Sequence, residues 1–216
     1  MNRKERLEKL AAIDIYPVIC QDFSEGRTNL EVLAAVLAGG ARIIQLREKH
    51  WNKKDLYDLV IEFGKRTRSH DALLIINDHV DVALAAGADG VHLGQEDLPI
   101  GVARKIAPEL IIGASSHNLK EALKAEKDGA DYVNIGPIFP TKTKADMVRF
   151  LGPEAIVEIG PHLTVPFTTM GGINPDNIIR VLKAGARRVA MITGITRAAD
   201  ITARVLQLRE TISHYF

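Results

Sequence analysis

Gln45, Arg47 and Lys49 stand at alternate positions where an apolar run stops, in Gln45-Leu46-Arg47-Glu48-Lys49. If the strand period holds, these three share one face and Leu46 points the other way. An Arg and a Lys side by side suit an oxyanion with several oxygens, because the guanidinium forks onto two of them and the ammonium adds a compact charge. Lys144 adds a further cation after a later apolar run. Asn77-Asp78 and Asp97 close two adjacent apolar runs, so the two carboxylates are expected to approach one point. Two carboxylates with positions left for water and phosphate oxygens match Mg2+. Asp78 alone would serve equally as a cap for a helix beginning near Asp81, or as a partner for a Lys. Gly171-Gly172-Ile173-Asn174-Pro175-Asp176 reads as a helix start with Asn174 as cap and Pro175 at the first helical position. Glycines admit an anion to the backbone amides and a helix N-terminus favours its charge. Thr193-Gly194 offers a similar loop; the alternative for Gly171-Gly172 is a plain tight turn. Two anion sites of different character imply a substrate pair carrying a pyrophosphate and a monophosphate.

A regular rhythm positions these residues. Gly40-Ala41, Gly87-Ala88, Gly129-Ala130 and Gly185-Ala186 each end a helical stretch and open an apolar run that stops at polar residues. Each glycine reads as a helix C-cap in the left-handed conformation. The copies lie about 40 to 55 residues apart, the length of two βα units, and a further apolar run falls beside each. These further runs are Ile15 to Ile19, Leu73 to Ile76, Leu110 to Ile112 and Val165 to Thr169. Helical periodicity fills the gaps, as in Leu30, Leu33, Ala34, Leu37 and in Leu56, Leu59, Val60, Phe63. Eight strands alternating with helices predict a (β/α)8 TIM barrel, one domain over residues 1–216 with a helical extension at 1–12. An open doubly wound sheet is the alternative, and the glycine-rich dinucleotide fingerprint it would carry after the first strand is missing.

With 216 residues, 46% of them hydrophobic, the chain has enough apolar surface for one large core. A net charge of +1, without basic runs interleaved with aromatics, argues against nucleic acid as a partner. No segment has the length of a membrane span, and the charged stretch Met1 to Leu10 lacks the apolar core of a signal peptide. One cysteine, Cys20, cannot form an internal disulfide, consistent with a reducing, cytoplasmic setting. Its position near the first strand's end suits a nucleophile or a small apolar residue. The expected partners are small molecules, without nucleic acid or membrane, and homo-oligomerisation is left open.

Five motifs in order resemble the thiamine phosphate synthase family, from about Tyr16 to Leu206. They are Gln45 to Lys49, Asn77-Asp78, Gly90 to Pro99 (Gly-Val-His-Leu-Gly-Gln-Glu-Asp-Leu-Pro), Gly136 to Lys144 (Gly-Pro-Ile-Phe-Pro-Thr-Lys-Thr-Lys), and Gly171-Gly172-Ile173. The resemblance implies a barrel enzyme joining 4-amino-5-hydroxymethyl-2-methylpyrimidine diphosphate to a thiazole monophosphate, with release of pyrophosphate. It assigns the pyrophosphate to Arg47, Lys49, Asn77, Lys144 and a Mg2+ on Asp78 and Asp97. By the same resemblance Gln45 meets the aminopyrimidine, Ser115 lies beside the reacting diphosphate, and Thr141 and Thr143 line the thiazole side. Gly171 and Gly172 with Ile192 and Thr193 would take the thiazole phosphate.

Three departures bear on substrate fit. Thr193 stands where relatives usually have Ser, Thr168-Thr169-Met170 replaces aliphatic or small residues, and Cys20-Gln21-Asp22 replaces a hydroxyl-Asp pair. The nearest alternative is a thiazole tautomerase of the same fold, with His117 as its acid/base, which has no use for Arg47, Lys49 and a Mg2+ pair. A non-catalytic phosphate-binding barrel would have eroded some charged positions, and none is eroded. A sugar-phosphate epimerase or lyase would need a base or a Schiff-base Lys inside the barrel. Residues 141–150 form a long polar connection, expected to close over both substrates and exclude water.

Overall fold

The computed structural model describes residues 1–141 and 150–216. Eight parallel strands close a barrel in sequence order: β1 (Ile15–Ile19), β2 (Ile43–Leu46), β3 (Leu73–Asn77), β4 (Gly90–Leu93), β5 (Ile111–Ser116), β6 (Tyr132–Ile135), β7 (Phe167–Thr169) and β8 (Val189–Met191). The outer layer is α2 (Asn29–Ala38), α3 (Lys53–Ser69), α4 (Val80–Ala85), α5 (Ile100–Ile106), α6 (Leu119–Lys127), α7 (Glu154–Ile159), α8 (Ile178–Lys183), the short α9 (Thr193–Thr196) and α10 (Ile201–Ser213). α1 (Arg3–Ala11) precedes β1. The (β/α)8 expectation holds, and the sheet's closure excludes the open alternative. β5 runs four residues past the expected Ile112, so Ser115 lies within a strand, and β7 begins two residues after Val165.

The four repeating glycines have φ of +82, +66, +100 and +100 degrees, so each reverses the chain from helix to strand as its sequence context implied. Strand alternation then sorts the side chains. One apolar set, including Ile44, Leu46, Leu74, Ile76, Ile112 and Val133, packs outward against the helices. The other, Ile43, Leu73, Ile75, Ile111 and Ala190 with Tyr16 and Tyr132, fills the barrel interior. α1 closes the N-terminal end: Leu10 and Ile13 join the interior set, while Arg3, Arg6 and Lys9 pair with Asp131, Asp89 and Asp71. Asp89 and Asp131 also accept the backbone N–H of Leu74 and Ile112, so both carboxylates serve the helix and the strands at once. Among the described residues no helix is long and apolar enough to cross a membrane.

Candidate active site

Above the apolar interior the barrel turns polar, and a cavity opens at the C-terminal ends of the strands. Gln45, Arg47, Lys49, Asn77, Asp78, Asp97, Ser115, Thr141, Gly171, Gly172, Ile192 and Thr193 all line it. Of the predicted site residues, Thr143 and Lys144 lie outside the described residues, as does most of the expected lid. The period-two reading of β2 holds. Arg47 N–H donates to the Ile19 carbonyl at 2.8 Å, which carries strand pairing past Leu46 and keeps Gln45, Arg47 and Lys49 on the cavity side. Glu48, pointing away, is buried and accepts from Gln21 N–H at 2.7 Å and Asn29 Nδ2 at 2.9 Å. It ties the loop bearing Arg47 and Lys49 to the loop after β1, and burial raises its carboxyl above the ordinary glutamate range. Glu48 was not singled out from sequence, although its place between two cavity-facing cations in a period-two run was the available signal.

Asp78 sits in the left-handed region, with φ of +62 degrees, and its N–H donates to the His92 carbonyl at 2.9 Å. Such a conformation in a residue with a side chain is strained and persists only where its surroundings enforce it. The Asp78 carboxylate meets that of Asp97, and Lys49 Nζ lies 3.2 Å from Asp78 Oδ2. Burial and the neighbouring Asp97 push the Asp78 carboxyl upward, and Lys49 only partly offsets them. Asp97 Oδ2 is held by the Gly94 N–H at 2.6 Å. Asp78 does not cap α4, whose cap position is His79, without a side-chain bond. Among the described residues no group of three or more carboxylate, imidazole or thiol ligands converges. A cation on the Asp78–Asp97 pair would therefore keep positions for water or ligand oxygens, as Mg2+ does, and two carboxylates pressed together fit one.

Gly171 and Gly172 have φ of +108 and +62 degrees, and a Cβ on Gly172 would lie 2.4 Å from the Pro140 carbonyl oxygen. Here the glycines let the loops after β6 and β7 touch. The helix start is a correction: α8 begins at Ile178, so Pro175 is not its first residue. Asn174 instead accepts from Asp176 N–H at 2.9 Å, closing a turn, while Asn177 Nδ2 donates to the Gly172 carbonyl at 2.9 Å. Thr193 opens α9, and Gly194 brings this loop against Ile173, whose carbonyl oxygen a Cβ would meet at 2.6 Å. His117 is held through its N–H and Nδ1 by Glu121 Oε2, at 2.8 and 2.9 Å. Cys20 is buried, and burial with the nearby Glu48 raises its thiol, which favours the apolar role. Among the described residues the strands carry no Lys.

At the base of the cavity lies a polar layer of Tyr16, His92, Tyr132, Asn134 and Thr168, of which sequence reasoning singled out only Thr168, as a departure bearing on substrate fit. Tyr16 Oη and Tyr132 Oη are 3.0 Å apart, and Thr168 Oγ1 donates to Asn134 Oδ1 at 2.9 Å. Space for the Tyr132 ring comes from Gly113, where a Cβ would be 2.1 Å from it. The signal was parity: Tyr132 shares a face with Asn134, and Gly113 with Ser115.

A family model described as thiamine monophosphate synthase matches residues 15–195. The chain is 42% identical over 199 residues to a thiamine-phosphate synthase of Chloroflexus aurantiacus, covering 92% of each. To that of Pyrococcus abyssi it is 48% identical over 186 residues, covering 86% of this chain and 89% of the relative. The solved thiamine phosphate pyrophosphorylase of Pyrococcus furiosus superposes with a TM-score of 0.88 at 39% identity, covering 94% of this chain and 97% of that one. A 3-hexulose-6-phosphate synthase at 20% identity and a TM-score of 0.68 shares the fold. With a matching model over most of its length and relatives this similar, the chain belongs to the thiamine monophosphate synthase family.

Proposed function

We propose that this protein condenses 4-amino-5-hydroxymethyl-2-methylpyrimidine diphosphate with a thiazole monophosphate, forming thiamine phosphate and pyrophosphate. The observation that carries the reading is one cavity holding Arg47, Lys49 and the Asp78–Asp97 pair on one side and the Gly171-Gly172 and Thr193 loops on the other. The first group suits a leaving pyrophosphate and the second a retained monophosphate. The attacking thiazole nitrogen carries no proton, so the reaction needs no general base. The aminopyrimidine stabilises a methylene cation as pyrophosphate departs. Arg47, Lys49 and Asn77 orient and neutralise the leaving group with Ser115 beside the reacting diphosphate, Gln45 meets the aminopyrimidine, and the thiazole is aligned by its phosphate. Lys144, Thr141 and Thr143 complete the proposal from the loop after β6. Mg2+ held by Asp78 and Asp97 supplies charge neutralisation at phosphate oxygens.

A tautomerase would have no use for the paired carboxylates, and its acid/base candidate His117 is engaged by Glu121. The lone Cys20 supports a cytoplasmic setting. The test is to supply purified protein with both substrates and follow thiamine phosphate and pyrophosphate together. Equal amounts of the two are expected, and bound thiazole phosphate without product would overturn the proposal.

A further inference from the structure

A continuous chain of hydrogen bonds crosses the barrel at the base of the cavity. Gln45 Nε2 donates to Tyr16 Oη at 3.0 Å, and Tyr16 Oη lies 3.0 Å from Tyr132 Oη. Tyr132 Oη is 2.9 Å from His92 Nδ1, and His92 Nε2 is 2.9 Å from Ser115 Oγ. Gln45, Tyr16, His92 and Ser115 line the cavity, Tyr132 lies behind them, and Tyr16, Tyr132 and His92 are buried.

The first link sets the direction of the rest. An amide nitrogen only donates, so Tyr16 Oη receives; its own proton has Tyr132 Oη as the acceptor within reach, and donating there is the arrangement that leaves it satisfied. Tyr132 then donates to His92 Nδ1, which must present a lone pair. A neutral imidazole with its lone pair at Nδ1 holds its proton at Nε2, and so donates to Ser115 Oγ. Ser115 is left to donate into the cavity, and Gln45 to present its carbonyl oxygen. Burial holds the arrangement, because a phenol proton without an acceptor there loses its hydrogen bond to water. It also keeps both phenols protonated by raising them.

We propose that this chain fixes the donor and acceptor pattern of the cavity, with Tyr16, Tyr132 and His92 as positioning residues that make Gln45 an acceptor and Ser115 a donor. The selected ligand donates toward Gln45 and accepts from Ser115, as an aminopyrimidine bearing a diphosphate does; this identification rests on the proposed function. To reverse either end, every proton in the chain must move, so the two contacts are coupled.

The direct test is 15N NMR of protein labelled at histidine, with the His92 signals assigned by their loss in His92→Gln. The expected result is the Nε2–H tautomer, with an unprotonated-type shift at Nδ1 and a protonated-type shift at Nε2. An Nδ1–H tautomer or a doubly protonated ring in the unaltered protein overturns the proposal, whether or not any variant folds. Gln45→Glu replaces the first donor with an acceptor and is expected to reverse His92 to Nδ1–H; an unchanged tautomer in the folded variant breaks the coupling. For selectivity, the 4-amino pyrimidine monophosphate and its 4-oxo analogue are compared as inhibitors. Wild type should favour the amine about a hundredfold and Tyr132→Phe tenfold or less. An unchanged ratio counts against the proposal. The tautomer is read without substrate, so failure to form thiamine phosphate would strike the function while an Nε2–H ring still supported the chain.

Discussion

At the floor of the barrel Arg3, Arg6 and Lys9 of α1 meet Asp131, Asp89 and Asp71, whereas at its mouth Asp78 and Asp97 press like charges together beside Lys49. The floor pairs each carboxylate with a cation, and two of its carboxylates also accept strand N–H groups. The mouth keeps a left-handed Asp78 and a raised carboxyl. Unrelieved charge and strain persist where the fold is rigid enough to hold them, and they concentrate where a ligand can relieve them. Mutations should therefore separate by end: the floor governs stability and the mouth governs turnover.

The largest expected effect breaks the floor. Leu10→Ala removes a fully buried side chain from the interior set and should lower unfolding free energy in denaturant by about 2–5 kcal/mol. Michaelis constants of the folded variant should stay within about twofold of wild type, on the premise that α1 lies outside the cavity. At the mouth, Arg47→Ala or Asp97→Ala should cut turnover roughly a hundredfold or more, equivalent to about 2.7 kcal/mol. Asp97→Ala should keep or raise the thermal midpoint, because it removes the like charge facing Asp78. Wild-type turnover in both variants would remove the mouth from the chemistry.

How much of this was legible varied with the physical signal. The four Gly-Ala repeats exposed the barrel because left-handed helix ends demand glycine, and the structure places all four there. The cavity side of β2 followed from period two alone, which holds as far as Lys49. The Asn174-Pro175 helix start misled because a cap residue followed by Pro suits a turn equally well, and Asn174 closes one. Tyr16, His92 and Tyr132 were passed over because an aromatic or a lone His in an apolar strand resembles core; only their mutual distances reveal a network. Glu48 was hidden for the opposite reason, since a charge between two charges looks like solvated rim until its partners Gln21 and Asn29 are seen.

Two smaller effects sharpen the comparison. Arg6→Ala leaves Asp89 without its cation at a largely buried position and should destabilise by about 1–3 kcal/mol, with turnover unchanged. Glu48→Gln keeps the oxygen that accepts both hydrogen bonds and removes a charge that burial disfavours. A carboxyl raised in the folded state favours folding while protonated, and that advantage is lost as pH rises through the ordinary glutamate value to the raised one. The variant should therefore gain thermal midpoint over wild type near neutrality, and the gain should vanish below the ordinary glutamate range. A gain that grows on acidification would contradict the burial argument.

The most direct test of the mouth's role is thiamine phosphate formation by purified protein from the pyrimidine diphosphate and the thiazole phosphate, with Mg2+ present or chelated. The account predicts product that requires Mg2+ and falls with Asp97→Ala. Undiminished product under chelation, or none with Mg2+ and both substrates at saturation, would contradict it.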